Sequence, residues 1–143
     1  MRNKNKLDKI LIENKAQPVG WGYIDVIVKR EYMENFLREI LNEGFEIMNI
    51  SFWEYCSTME IKNTIGMGGP VSKFFDGWFS EIGRGYDVDI RNETIENKYK
   101  ILMKMIKEFK CSNFDGDFSF ENNETIMPSF DIDVPHEWHN DQD

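Results

Sequence analysis

Aspartates stand two apart at Asp87/Asp89, Asp115/Asp117 and Asp131/Asp133. On an extended chain, residues two apart face the same side, about 6.5–7 Å apart at Cα. Two such carboxylates can share a divalent cation when a third joins them. An acidic, solvated strand face gives the same pattern, so the spacing specifies a negative surface before it specifies a metal. His136 and His139 are the only histidines. Three apart on a helix, they could share a metal ion. Glu137 and Trp138 between them do not make HExxH, and a position after Pro135 fits a solvated pair. Glu60-Ile61-Lys62 has the form of half a nuclease E-x-K motif, with Asp25 as a distant acid. A tripeptide is a weak signal, and a net charge of −9 opposes a phosphate backbone. There is no Gly-x-Ser-x-Gly, and no Ser/His or Cys/His pairing can be read from the spacing. Acid–base chemistry would fall to carboxylates or lysines. No catalytic residue, bound metal or cofactor is expected.

The stretch Thr64–Ile82 is the other candidate. It holds four of the ten glycines, with Pro70, Trp78 and three phenylalanines. Gly66, Gly68 and Gly69 could turn successive backbone N–H groups into an anion-binding nest. Pro70 has no N–H to give, and neither Gly-Lys-Ser/Thr nor GxGxxG is present. The better reading is a shaped, exposed connector around Gly68 and Gly69, whose aromatic end feeds a strand. Met67 and the aromatic residues after it are of the kinds that protein interfaces prefer.

The net charge is unevenly placed. Residues 1–110 hold 17 basic and 17 acidic residues, whereas residues 111–143 hold nine acids and no Lys or Arg. This segregated negative field suits a basic partner and disfavours nucleic acid; a solvating acidic tail would look the same. Cys56 and Cys111 have neither metal-knuckle nor CxxC spacing and read as reduced thiols. Ile10-Leu11-Ile12 is too short for a secretory h-region or a membrane span. The expected location is the cytoplasm, with no membrane partner; the oligomeric state is left open.

These residues need elements to place them. One α+β domain is expected over residues 1–134, followed by a polar acidic tail over 135–143. Leu7, Ile10 and Leu11 predict a short helix over 3–14. Alternation of Ile24, Val26 and Val28 against Trp21, Tyr23, Asp25 and Ile27 predicts a strand over 19–29. Tyr32, Phe36 and Ile40 beside Met33, Leu37 and Leu41 predict a helix over 31–43, stopped by Gly44. A strand over 45–55 would set Met48, Ile50 and Phe52 on one face and Ile47 on the other. Strands are predicted over 77–82 and 126–134, the latter at an edge because of Pro128. A helix over 93–110 would be capped by Asn92, and residues 111–125 read as turns. The order α–β–α–β–loop–β–α–β predicts a ferredoxin-like α/β plait or a decorated variant, with a mostly antiparallel sheet and two main helices on one face.

In size, charge, aromatic richness and the segments Ile65-Gly-Met-Gly-Gly-Pro70 and Gly77-Trp-Phe-Ser-Glu-Ile82, the chain resembles the small acidic immunity proteins of bacterial polymorphic toxin systems. The resemblance implies a non-catalytic inhibitor that neutralises a basic toxin enzyme such as a nuclease. Candidate contacts are then Asp76, Glu81, Asp87, Asp89, Asp131 and Asp133, with Trp78 as an aromatic anchor and Gly68 and Gly69 shaping the surface. A carboxylate- and divalent-metal-dependent enzyme would instead need three of these acids around one pocket. A ligand-binding regulatory domain would need an apolar cavity.

Overall fold

The structure, a computed structural model, describes residues 3–19, 22–58, 71–74, 76–82, 85–113 and 116–142. In chain order it forms α1 (Lys4–Glu13), β1 (Gln17–Pro18), β2 (Val26–Ile27), α2 (Arg30–Asn42), β3 (Glu46–Cys56), β4 (Val71–Phe74), β5 (Gly77–Glu81), β6 (Tyr86–Asp87), α3 (Ile95–Lys107), β7 (Lys110–Asn113), β8 (Gly116–Ser119) and β9 (Ile126–Asp133). A 3-10 helix, His136–Gln142, follows.

The helices form where apolar spacing and capping agree. Asn3 caps α1, its side chain accepting the Lys6 N–H at 3.2 Å, and Leu7, Ile10 and Leu11 are buried as their spacing predicts. In α2, Met33, Phe36, Leu37, Ile40 and Leu41 turn inward, and Gly44 at φ 88° ends the turn. The third helix starts later than expected. Thr94, not Asn92, is its cap, accepting the Asn97 N–H at 3.1 Å, which leaves Ile95 exposed.

The main sheet is antiparallel, in the order β1-β2-β9-β3-β5-β4, with β6 also paired to β3. The class is α+β, as expected, but the strand order is not that of a simple plait. The last strand, β9, lies in the middle of the sheet between β2 and β3 instead of at an edge beside the first main strand. The short α1 and the two main helices share one core with the sheet: Leu7, Phe36, Leu37, Ile40, Leu102 and Ile106 join Val26, Ile50, Phe52, Phe130 and Ile132. Phe36 stacks on Phe130 with ring centroids 5.8 Å apart.

Several local expectations are corrected. Among the described residues of the run 19–29, only Val26 and Ile27 form a strand, because Gly22 (φ 60°) and Asp25 (φ 57°) are left-handed and fold the preceding segment into a turn. Ile24 is exposed as a result. A register shift between Ile47 and Asn49 brings Ile47 into the same core as Ile50 and Phe52, so strict alternation fails there. Pro128 sits in a central strand. Its carbonyl accepts the Val28 N–H at 3.1 Å, just past the end of short β2, so the donor it lacks falls where the β2 ladder stops. The turn-rich segment after α3 contains the β7–β8 hairpin. The expected solvated tail carries the 3-10 helix, whose Trp138 packs edge-on against Tyr23 and Phe45.

The second face of the sheet has its own small core of Ile27, Trp53, Phe79 and Met127, with Val19 and Tyr55 beside it. In a flat sheet β2 and β5 would stand about 14 Å apart, three strand spacings. Lys29, just after β2, nevertheless pairs with Asp76, just before β5. The sheet curls into a half-barrel around this second core. Among the described residues, no helix is long and apolar enough to cross a membrane.

Candidate functional site

The turn before β2 is positioned by Tyr23. Its N–H donates to His139 Nδ1 at 3.3 Å, its carbonyl accepts the Ile132 N–H at 3.1 Å, and its hydroxyl donates to Asp8 at 2.5 Å. One residue thus ties the turn to the 3-10 helix, to β9 and to α1. Gly22 is required beside it. A Cβ there would lie 2.8 Å from the His139 Cα, and φ is 60°. The constraint holds Asp25 left-handed at the mouth of the half-barrel.

Register brings other carboxylates to the same mouth. Val26 pairs with Phe130, so Asp25 lies beside Asp131. Asp131 pairs with Asn49, and Asn49 with Asp87. Glu81 stands opposite Trp53, on the face of the second core. The floor is polar and satisfied: Trp53 Nε1 donates to the buried Ser129 hydroxyl at 2.9 Å, Ser51 Oγ bonds Asn49 Oδ1 at 3.3 Å, and Asn49 Nδ2 donates to Asp87 at 3.1 Å.

The electrostatics are unfavourable for ionisation. Burial raises the pKa of Asp25. Burial and then the charge of Asp25 raise that of Glu81. Burial, Asp25 and Asp133 raise that of Asp131, against a lowering by His139. Among the described residues no Lys or Arg forms an ion pair with Asp25, Glu81 or Asp131. Among the described residues, three half-buried acids are held close without a Lys or Arg to balance them.

The other expected contacts lie elsewhere. Asp76 is engaged internally: Lys29 holds its carboxyl below the usual range, and its carbonyl accepts the Tyr55 hydroxyl at 2.5 Å. Asp89 pairs locally with Arg91 at 3.8 Å. Trp78 is half-buried and alternates with Phe79, which places it on the face away from the carboxylates. Asp133 shares the β9 face of Asp131. Gly68 and Gly69, with Gly66, Met67 and the Glu60-Ile61-Lys62 tripeptide, lie outside the described residues, as does Asp115. Its pair mate Asp117 accepts the Ser112 hydroxyl at 2.6 Å in the β7–β8 hairpin. Of the described members of these pairs, Asp87, Asp131 and Asp133 lie along the mouth, whereas Asp89 and Asp117 are engaged elsewhere. Among the described residues, no three His, Cys, Asp or Glu groups are placed to hold a metal ion. His136 and His139 have ring centroids 6.3 Å apart, with the His139 Nδ1 occupied by the Tyr23 N–H.

Asp25 was absent from the expected contacts and is the residue the others converge on. Its signal was present in Gly22-Tyr-Ile-Asp25, a turn hidden inside an apparently alternating strand. No family model, curated protein or solved structure matches the chain.

Proposed function

We propose that the chain is a non-catalytic protein-binding module, an immunity-type inhibitor that neutralises a basic toxin enzyme such as a nuclease. The observation that supports this reading is the convergence of Asp25, Glu81 and Asp131 with no Lys or Arg partner among the described residues. Burial makes all three carboxylates harder to ionise, the charge of Asp25 adds to this at Glu81 and Asp131, and a cationic side chain from a partner would relieve them together. Asp133 and Asp87 widen the negative rim, and residues 111–143, with nine acids and no Lys or Arg, supply the longer-range field that speeds encounter. The reading gives Asp76 and Asp89 a smaller share, because each already has an intramolecular cation.

The test is capture from a lysate of the source cells on the immobilised chain. The expected result is a basic protein that elutes with salt, is toxic or enzymatically active alone, and loses that activity when the chain is added. The triple variant Asp25→Asn, Glu81→Gln, Asp131→Asn should fail to capture it. Inhibition by the triple variant equal to that by the wild type would overturn the reading.

A further inference from the structure

A second site lies at the opposite end of the half-barrel, where the end of α1 meets the Lys29–Asp76 pair. A cavity of about 340 Å³ opens there, within the range of small-molecule sites. Leu11, Ile12 and Ala16 form its apolar wall, Gln17 is its uncharged polar residue, and Lys15, Lys29 and Asp76 supply its charges. Ile12 stands 77 % exposed at the rim, although the buried stripe of α1 is complete with Leu7, Ile10 and Leu11. Lys29 and Asp76 neutralise each other. Lys15 is exposed and forms no ion pair among the described residues, so the lining carries one uncompensated positive charge.

Lys15 stands where the backbone favours glycine. α1 closes with the Ala16 N–H on the Leu11 carbonyl at 2.9 Å and the Lys15 N–H on the Ile12 carbonyl at 3.1 Å, and Lys15 is left-handed at φ 51°. The end of α2 repeats this closure, with the Phe45 N–H on Ile40 at 3.1 Å and the Gly44 N–H on Leu41 at 3.0 Å; there the left-handed residue is Gly44. One closure uses glycine and the other bears the steric cost of a lysine. Two structural roles for that lysine are small. The negative end of α1 is largely answered, because the Ile10, Leu11 and Ile12 carbonyls each accept a backbone N–H. The Lys15 ammonium is 5.9 Å from the Tyr32 ring centroid, at the outer limit of a cation–π contact. The left-handed turn also folds Ala16 back onto Leu11, which joins the two in the cavity wall beside Lys15.

We propose that this cavity binds a compact apolar molecule bearing one carboxylate, its body against Leu11, Ile12 and Ala16 and its charge on the Lys15 ammonium. The site is separate from the carboxylate mouth and does not depend on a basic partner. Phenylpropanoate and phenylpropanamide make a matched pair of probes, alike in shape, with a charge on one only. Titrating each into the ¹⁵N-labelled full chain at neutral pH and low salt should shift the Leu11, Ile12, Lys15 and Ala16 amides, saturating in the millimolar range for a fragment of this size. The carboxylate should bind about three- to tenfold more tightly than the amide, the worth of a solvent-facing ion pair, and the preference should shrink in high salt. Lys15→Met keeps an apolar stem and should bring that ratio to about one. Acetate, which has the charge without the body, should leave Leu11, Ile12 and Ala16 unshifted. No shift at these residues up to the solubility limit of phenylpropanoate would overturn the site, as would equal shifts with acetate at the same concentration. Equal affinities of the matched probes for the wild-type chain would overturn the role of Lys15, whatever Lys15→Met does to folding.

Discussion

Asp25 lies beside Asp131 in the continuation of the β2–β9 ladder, and its charge raises the pKa of Asp131. Two half-buried acids on neighbouring strands are kept together by backbone restraints, notably the Tyr23 contacts and the left-handed Asp25, and not by mutual attraction. The arrangement opposes its own ionisation.

The pH dependence of stability follows from that direction. A carboxyl whose folded pKa is raised contributes stability that is present below its unfolded pKa, about 4, and is lost as pH rises through its folded value. Asp131→Asn removes this loss without changing the shape of the side chain. The variant should be more stable than the wild type at neutral pH, by no more than about 1 kcal/mol for a group that solvent still partly screens. The difference should vanish in acid, where the wild-type carboxyl is protonated. Urea denaturation at pH 7 and pH 3 checks this; a difference independent of pH would mean that Asp131 acts through packing.

At the other end of the trough the sign reverses. The hydrogen bond from Lys29 lowers the pKa of Asp76, and the same contact raises that of Lys29, whose ammonium also lies 5.4 Å from the Tyr55 ring centroid. The pair therefore stabilises between the unfolded pKa values of a carboxyl and an ammonium, about 4 and 10. Its contribution fades below that window as Asp76 protonates and above it as Lys29 loses its proton. A double-mutant cycle with Lys29→Met and Asp76→Asn should give a coupling of about 0.5–1 kcal/mol at pH 7, smaller in high salt because the aspartate is half exposed. Both single variants should still inhibit the partner, since Asp76 serves the fold.

Helical spacing was legible because each helix repeats its pattern over two or more turns and meets one core. Leu7, Ile10 and Leu11, and the whole buried row of α2, stand as their spacing predicts. The face of β9 was equally readable: Phe130 and Ile132 enter the core while Ser129 and Asp131 face away. The strand order was not readable. Alternation says which way a residue points but carries no information about which strand lies beside it, and Pro128 misled because the end of β2 removes the need for its donor. The carboxylate mouth was half visible. Glu81 and Asp131 are acids on readable strands, but Asp25 reaches them through two left-handed residues and a curl of the sheet, neither of which leaves a periodic trace.

The glycine at the start of β5 is set by a close approach. A Cβ on Gly77 would lie 2.5 Å from a Tyr55 ring carbon and 2.6 Å from the Cys56 carbonyl oxygen. The carbonyl belongs to the β3 backbone and cannot move aside without disturbing the β3–β5 ladder, where Cys56 pairs with Trp78. Gly77→Ala should cost about 1–3 kcal/mol, as overpacking does. It should also free the Tyr55 hydroxyl from the Asp76 carbonyl, which a change in tyrosine fluorescence or in the Tyr55 ring resonances would report. A neutral substitution would mean that β5 can shift along β3.

Arg30 organises the approach to β9. Its Nε donates to the Ile126 carbonyl at 3.1 Å, and one Nη donates to the carbonyls of Phe120 at 2.5 Å and Asn123 at 2.6 Å. The guanidinium also lies 3.6 Å from the Phe120 ring centroid. Three carbonyls of one loop therefore share a single planar donor at the start of α2. Arg30→Ala leaves these carbonyls without that donor and should cost about 2–4 kcal/mol. Arg30→Lys separates charge from geometry: an ammonium keeps the charge but neither spans three acceptors nor stacks flat on a ring. It should recover less than half of the loss. The unfolding midpoint in urea, at unchanged slope, gives both values. Amide exchange gives the location, because the Ile126 N–H donates to Asn123 and the Tyr55 N–H to Thr125. In both variants these two amides should exchange faster than those in the middle of α2. Uniform acceleration across the chain would mean that Arg30 contributes only to global stability and does not hold the loop that starts β9.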